Sequence, residues 1–394
     1  MLTVLVTDPE QRASLAAVRS LARRRWRVVT IGNGKGIAGF SRATAISVRT
    51  GAVQWGSPEG LFNAVRRAVV DHRVDVVLPV TDLASRTLLG RGNELGARVA
   101  GPSADAYNRA SDKPLLLQLA TQCGIRIPAQ QVLHSKGDAS SVLAPLPDGR
   151  WVIKPARSVV EVNGRVHSLR VQFVDRTRDL YQAVTTFPPA AYPLLIQQRI
   201  TGDGIGVFLL RHDRTSVLKF GHRRLREKPP AGGVSTYREA VVPSPELVSK
   251  CEQMLDRLEF NGPAMVEFKE DNASGELVLM EVNARLWGSV QLAIDAGFDF
   301  PAALVGLTMG FPVIDVLPAR PNVRTFWEFG ELDHALAVWR KSREELSVSS
   351  EFRVGATAAI HSLLDRRWGD QPEVFRFNDP LPFLAEAYRW LTRK

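Results

Sequence analysis

Three features of this 394-residue sequence predict an α/β protein built in several lobes. The N-terminus alternates strand and helix patterns. The stretch Pro263–Arg285 reads as two alternating strands around a polar turn, and helical patterns take over after residue 316. A strand–helix–strand start implies a parallel sheet with right-handed crossovers.

Taken in order, Leu2–Thr7 is a short buried strand, Gln11–Arg24 has helical spacing through Leu15, Val18 and Leu21, and Arg27–Ile31 is a second strand. Gly32, Gly34, Gly36 and Gly39 follow the second strand. A dinucleotide-binding loop would follow the first. Gly60–His72 is helical and leads into the continuous apolar strand Val74–Val80. Thr81 and Asp82 then stand where open α/β sheets place ligand loops, although turn chemistry explains them equally well. Ala97–Ala100, stopped by Gly101-Pro102, closes this first unit.

A second unit opens at Ser103, with a helix start at Ser111-Asp112-Lys113-Pro114 and a helix over Leu115–Gln122. Trp151–Pro155 is a strand ending in Lys154. A polar hairpin (Ser158–Val174), a helix (Leu180–Thr186) and the strand Leu194–Ile200 follow. A glycine-broken turn, Thr201–Gly206, enters strands at Val207–Arg211 and Ser216–His222. Arg223–Ser235 is basic and carries proline and glycine, so a mobile loop is expected. Further helices are expected at Ser244–Leu258, Trp287–Asp295 and Pro301–Met309. In the C-terminal region they are expected near Leu332–Leu346 and Gly355–Arg366. A last one has Phe383, Leu384, Ala387 and Leu391 on one stripe, with Trp327, Trp339, Trp368 and Trp390 packing nearby.

Within Pro263–Arg285, period-two alternation puts Glu267 and Lys269 on one face, and Glu281 and Asn283 on one face. A five-residue turn at Asp271–Gly275 would bring Glu267 to the surface that carries Glu281 and Asn283. Two carboxylates and an amide oxygen repel one another unless a cation sits between them. All-oxygen ligation suits Mg²⁺, which completes its shell with substrate phosphates. Lys113 and Lys154 supply the positive charge that a triphosphate also needs.

Composition narrows the class. A hydrophobic content of 45% and a charged content of 23% describe an ordinary globular protein. Cys123 and Cys251 are too few for a disulfide framework and lack metal spacing. The start MLTVLVTD has no secretory signature, and the apolar run Pro301–Leu317 is broken by Gly306, Gly310, Pro312 and Asp315. A cytoplasmic protein without a transmembrane segment is expected. A formal net charge of +10 suits an anionic ligand. No nucleic-acid motif is present, so no nucleic-acid partner is expected.

Four motifs in this order resemble the ATP-grasp superfamily, in particular carboxylate–amine ligases similar to carbamoyl-phosphate synthase large subunits. They are SDKPLLLQLATQCGIRIP (Ser111–Pro128), WVIKPA (Trp151–Ala156), LLIQQRITGDGIGV (Leu194–Val207) and VEFK with MEVNAR (Val266–Arg285). The resemblance spans roughly residues 1–310. It implies a Rossmann-like pre-ATP-grasp domain (1–102), a small lobe (103–195), a large lobe with the Mg²⁺ and ATP site (196–316) and a mainly helical appendage (317–394).

The resemblance also implies roles. Lys113 and Lys154 would contact ATP phosphates, and Gln197 with the backbone of Gln198, Arg199 and Ile200 would hold adenine. Glu267, Glu281 and Asn283 would bind one or two Mg²⁺, with Mn²⁺ as an alternative. Arg285 would meet a phosphate or the substrate carboxylate, with Lys154 as its catalytic companion. Three departures stand out. The hairpin after Lys154 carries only Gly164 where many members are glycine-dense. The acid that usually holds the ribose falls on Gly204, leaving Asp203 as substitute. The segment with His222, Arg223, Arg224, Glu227, Gly232 and Gly233, where substrate contacts are expected, matches no acceptor signature.

The implied activity is ATP-dependent: a substrate carboxylate attacks the γ-phosphate, and an amine then displaces phosphate from the acyl-phosphate to form an amide. Small-molecule acids and amines are the implied partners, and a homodimer is compatible. A nucleotide-binding sensor or scaffold of the same fold, without ligation, is the alternative.

Overall fold

The computed structural model describes residues 1–157, 159–162, 165–169, 171–312, 320, 322–348 and 351–392. The first unit is a five-stranded parallel sheet made of Thr3–Thr7 (β1), Arg27–Gly32 (β2), Ile46–Arg49 (β3), Val76–Leu78 (β4) and Arg98–Val99 (β5). The strand order is β3-β2-β1-β4-β5. β1 is buried at every position, as expected for a strand covered on both faces. β3 is absent from the sequence reading because its burial is only partial, which leaves no apolar run to detect.

The second sheet contains Gln130–Leu133 (β6), Trp151–Pro155 (β7), Gln172–Val174 (β10) and Leu194–Gln198 (β11), in the order β10-β7-β11-β6. Val159–Val162 (β8) and Arg165–Ser168 (β9) pair as a separate antiparallel hairpin after Lys154. Ser158 and Gly164, which belong to the expected covering hairpin, lie outside the described residues, as does the 313–317 end of the expected apolar run. Alternation along β7 sends Trp151 and Ile153 into a core with Leu180 and Val184, and turns Lys154 to the other side.

The largest sheet has seven strands: Gly204–His212 (β12), Thr215–Lys228 (β13), Val234–Val241 (β14), Gly262–Glu270 (β15), Leu277–Asn283 (β16), Arg324–Phe326 (β17) and Gln371–Pro372 (β18). Their order is β16-β15-β12-β13-β14-β17-β18. One face packs Val207, Leu209, Val266 and Phe268 against the helices Lys113–Gln122 and Pro245–Arg257. The opposite face begins with Phe208, Phe220 and Met265, which share a core with Trp287, Phe300 and the helix Arg12–Arg23 of the first unit. The two α/β units therefore rest on a common apolar contact.

One sequence expectation is corrected here. Residues 223–228 are not a loop: they continue β13, and the turn to β14 occupies only 229–233. Helix Lys113–Gln122 shares its core with the large sheet and with Leu195 of the small sheet. The mainly helical C-terminal region also adds β17 and β18 to the large sheet. It continues as the helices Glu328–Arg340, Ala356–Leu364 and Leu381–Leu391.

The last helix also turns differently from its expected stripe. Phe383 packs on Phe329 and Phe375, and Trp390 on Phe329, while Leu384 and Leu391 are exposed. Trp339 and Trp368 are exposed too, so only Trp327 and Trp390 of the four tryptophans pack against the body. Among the described residues, no helix is long and apolar enough to cross a membrane.

Candidate active site

Moving along the large sheet, its inner face changes from apolar to charged. Phe208 pairs with Met265 and with Phe220; two residues on, Gly206 pairs with Glu267 and with His222; two further, Gly204 pairs with Lys269. Side chains two apart share a face, so the aromatic core and the polar site are successive rows of one surface. Glu267 in turn faces Glu281, and Met265 faces Asn283, as the alternation required.

The route to that register differs from the expected five-residue turn. The strands end at Glu270 and resume at Leu277, so six residues (271–276) join them, and Lys269 faces Val278 while Phe268 faces Leu279. That pairing alone would put the acids on opposite faces. A β-bulge at Met280 adds one residue to β16 and restores the Glu267–Glu281 pair.

Gly204 explains how a third charge reaches this row. Arg224 on β13 crosses β12 and places Nη2 2.6 Å from Glu267 Oε2, with Nη1 2.9 Å from Glu227 Oε1 and 3.1 Å from the Gly233 carbonyl. A Cβ on Gly204 would lie 2.6 Å from Arg224 Cδ, and one on Gly206 would lie 2.6 Å from the Phe208 ring. A side chain at 204, where the resemblance leads one to expect an acid, would have to displace Arg224. Asp203 is exposed, with its carboxylate 3.6 Å from Arg223 Nη1.

Lysines close the other side of the row. Burial lowers the proton affinity of Lys154, against the pull of Glu281, and Lys113 adds to the lowering. Burial alone would raise Glu281, but Lys113, Lys154, an Asn283 hydrogen bond of 3.0 Å and Arg285 outweigh it and hold the carboxyl below its usual range. Glu267 goes the other way. Burial raises it, Arg224 opposes, and the Glu281 charge adds to the rise. Arg285 is held by Asp82 through two hydrogen bonds of 2.9 and 2.8 Å, a fork-to-carboxylate geometry, and Tyr107 donates to the same carboxylate at 2.8 Å. Asp82 is lowered because Arg285 overcomes the rise that burial imposes.

This donor set fits a hard divalent cation. Two facing carboxylates with opposite tendencies to ionise, next to an amide oxygen, repel until a cation sits between them, and Mg²⁺ takes one or two carboxylates plus phosphate oxygens. Among the described residues, no group of three or more His, Cys, Asp or Glu gathers, so an all-protein cage is not formed. Lys113, Lys154 and Arg285 around the acids suit phosphate oxygens.

The remaining expected residues are dispersed. Gln197 is buried and donates from Nε2 to Gln130 Oε1 at 2.8 Å. The backbone N–H groups of Gln198 and Arg199 already donate to the Ala129 and Arg150 carbonyls, at 2.8 and 3.0 Å, which leaves Ile200 as the remaining amide of that segment. The Arg199 side chain reaches the Ser347 carbonyl of the C-terminal region and lies over the Phe173 ring. Arg223 points to the rim and pairs with Glu270 at 2.9 Å. His222 is sealed in the aromatic core, edge-on to Phe208 with ring centroids 4.7 Å apart, and burial drives its proton affinity well down. Gly232 has φ +135°, which demands glycine in the turn that presents Gly233 to Arg224.

Beside the charged row opens a cleft of about 1020 Å³ between the large sheet and the C-terminal region. Its lining includes Gly204, Arg224, Glu227, Lys269, His334 and Arg343. Sequence reasoning gave no site role to Lys269, Gly206 or the C-terminal residues. The Gly-x-Gly spacing at 204–206 was a usable signal for close approach; His334 had none, because only folding brings its helix to β13.

Two α/β lobes flank a row of lysines and acids beside a Rossmann-like unit, which is the ATP-grasp fold. Residues 192–329 match the family model described as "ATP-grasp in the biosynthetic pathway with Ter operon", and the chain carries an ATP-grasp domain. It is 23% identical over 360 residues to the carbamoyl phosphate synthase large chain of Halomonas eurihalina, a match covering 81% of this chain. The chain spans about a third of that relative, 32% of its length. Among solved structures, a biotin carboxylase–β,γ-ATP complex from Campylobacter jejuni superposes with a TM-score of 0.65 at 16% identity, covering 82% of this chain and 74% of that one. An L-amino acid ligase from Bacillus licheniformis superposes with a TM-score of 0.60, also at 16% identity, covering 78% and 74%.

Proposed function

We propose that this protein is an ATP-dependent ligase that activates a small-molecule carboxylate as an acyl-phosphate and passes it to an amine, releasing ADP and phosphate. The observation that carries this reading is the meeting of Lys113, Lys154, Asn283 and Arg285, from three separate segments, around the buried pair Glu267 and Glu281. Mg²⁺ held by these residues would supply neutralisation of the charge that develops on the phosphate.

The chain's own residues act by position and charge. Glu267, Glu281 and Asn283 would hold the metal, and Lys113 and Lys154 would orient the phosphates. Arg285, kept rigid by Asp82, would face the transferring phosphoryl group or the carboxylate that attacks it. Fixed charges in a water-poor site stabilise a phosphoryl transition state without a side-chain nucleophile. Arg224 couples the metal row to the cleft, so an anionic substrate in the cleft would compete for a guanidinium that now serves Glu267 and Glu227.

The test is ADP and phosphate release with Mg-ATP, screened against pools of amino and carboxylic acids, with mass spectrometry of the products. A pool that triggers release and yields a product equal to acid plus amine less water supports the ligase. Tight, Mg²⁺-independent ATP binding with no turnover in any pool would favour a nucleotide sensor, a reading to which the Arg224–Glu267 pair lends some support, since it holds that acid without a metal.

A further inference from the structure

His334 lies on the inner face of the helix Glu328–Arg340 and is almost fully buried, yet its ring lines the same cleft as Arg224, Glu227 and Lys269. Its Nδ1 is 2.7 Å from the Glu227 carbonyl oxygen. A carbonyl only accepts, so Nδ1 must carry the hydrogen, and in the neutral ring Nε2 is then a lone pair. Among the described residues, Nε2 has no hydrogen-bond partner. One nitrogen is thus spent on fixing the tautomer, and the other is left to the cleft.

The charges around the ring keep it neutral. Burial lowers its proton affinity; the Glu227 carbonyl and Glu331 oppose this, and Arg226 adds to it, leaving the ring below the ordinary imidazole value. Glu331, one turn back on the same helix, is paired with Arg226 at 2.7 Å, and Arg226 also meets Asp365, just after the helix Ala356–Leu364, at 3.3 Å. Lys228 and the adjacent Asp333 form a further pair, and the Glu227 carboxylate is held by Arg224. His361 lines the cleft as well.

An amine acceptor in neutral water is an ammonium ion, which has no lone pair with which to attack. We propose that His334 is the general base of the amine-transfer half of the reaction. Its Nε2 takes one proton from the ammonium, and the freed nitrogen lone pair forms the N–C bond to the acyl carbon. The C–O bond to phosphate breaks, phosphate leaves with the electron pair, and the second nitrogen proton passes to water. Glu331 stands one turn away to offset the imidazolium charge. This assignment rests on the ligase reading above.

The test separates the two halves of the reaction. Hydroxylamine is unprotonated at neutral pH and traps acyl-phosphates without a base. His334→Asn keeps a donor where Nδ1 stands, and so keeps the bond to Glu227, but deletes Nε2. Wild type and variant are assayed with Mg-ATP and the pools of amino and carboxylic acids used above, with and without hydroxylamine. His334→Asn is expected to keep hydroxamate formation while amide formation falls roughly 10²- to 10⁴-fold, the usual range for general acid–base catalysis. Its residual amide rate should climb tenfold per pH unit with the free-amine fraction, while wild type plateaus once its imidazole is neutral. Equal loss of both products would reduce His334 to a structural anchor, and wild-type amide rates with an unshifted pH profile would overturn the assignment outright. Absence of hydroxamate in wild type would instead overturn the ligase reading beneath it.

Discussion

Glu281 is the acid on which the charges of the site converge. Lys113 and Lys154 hold it ionised, and Asn283 fixes its orientation through a 3.0 Å hydrogen bond. Glu281→Gln keeps the shape and removes the charge, so ATP turnover should fall on the order of 10²-fold, as for other lost electrostatic stabilisers. The melting temperature should change little; steady-state ADP release and calorimetry check both. Gly204 offers a sharper test because the relatives' pattern and the packing disagree there. Gly204→Asp supplies the expected ribose acid, but its Cβ would lie 2.6 Å from Arg224 Cδ and 3.2 Å from Glu227 Oε1. Overpacking of this kind costs about 1–3 kcal/mol. A lower melting temperature and weaker ATP saturation are expected, and tighter ATP saturation would mean that the ribose acid matters more than Arg224.

Individual elements carry their own strains. The helix Leu381–Leu391 buries Glu386, which accepts from Trp327 Nε1 at 2.9 Å and lies near Glu328 and Glu373. Burial raises this carboxyl from 4.5 to about 7, against the Trp327 hydrogen bond and with a further push from Glu328. The native state therefore binds a proton more tightly than the unfolded chain. The stability this confers is fully present below pH 4.5 and is lost as pH rises through about 7. A shift of this size corresponds to roughly 3 kcal/mol at most. Glu386→Gln should remove that part of the pH dependence and gain on wild type above neutrality, as denaturant midpoints at pH 5 and pH 8 would show. The β15–β16 hairpin teaches a different lesson. Its alternation was legible in the sequence, but the longer loop and the bulge at Met280 were not, since two one-residue errors cancel in the register.

The lobes are bound together by charge as well as by apolar contact. Glu373, just after β18, meets Arg12 of the first unit and lies 2.6 Å from Nη2 of Arg238 in the centre of the large sheet. Arg238 is completely buried. Asp379 repeats the theme: it accepts from Arg19 at 2.8 Å and from Ser41 at 2.6 Å. Removing one partner of a buried pair leaves the other charge without compensation, at about 3–5 kcal/mol. Glu373→Ala should therefore destabilise the whole molecule by that amount, as read from chemical denaturation. It should do so in one transition if the C-terminal region folds with the lobes, and in two if it is a separate appendage.

Sequence alone determined the α/β class, the parallel start and the identity of the charged residues that meet in the site. Each of these is written locally, in apolar period, turn chemistry and four ordered motifs. It also carried the sense of the hairpin, because alternation is a property of neighbouring residues. Tertiary structure decided the rest. It made a strand of residues 223–228, routed Arg224 over Gly204 to Glu267, and gave Asp82 the task of holding Arg285. It also laid the C-terminal region along the cleft, where His334 meets Glu227 across 107 positions of chain. The physical reason is range: periodicity and turn preference act over a few residues, whereas pairing of charges and the walls of a cleft depend on which distant segments the packed core brings together.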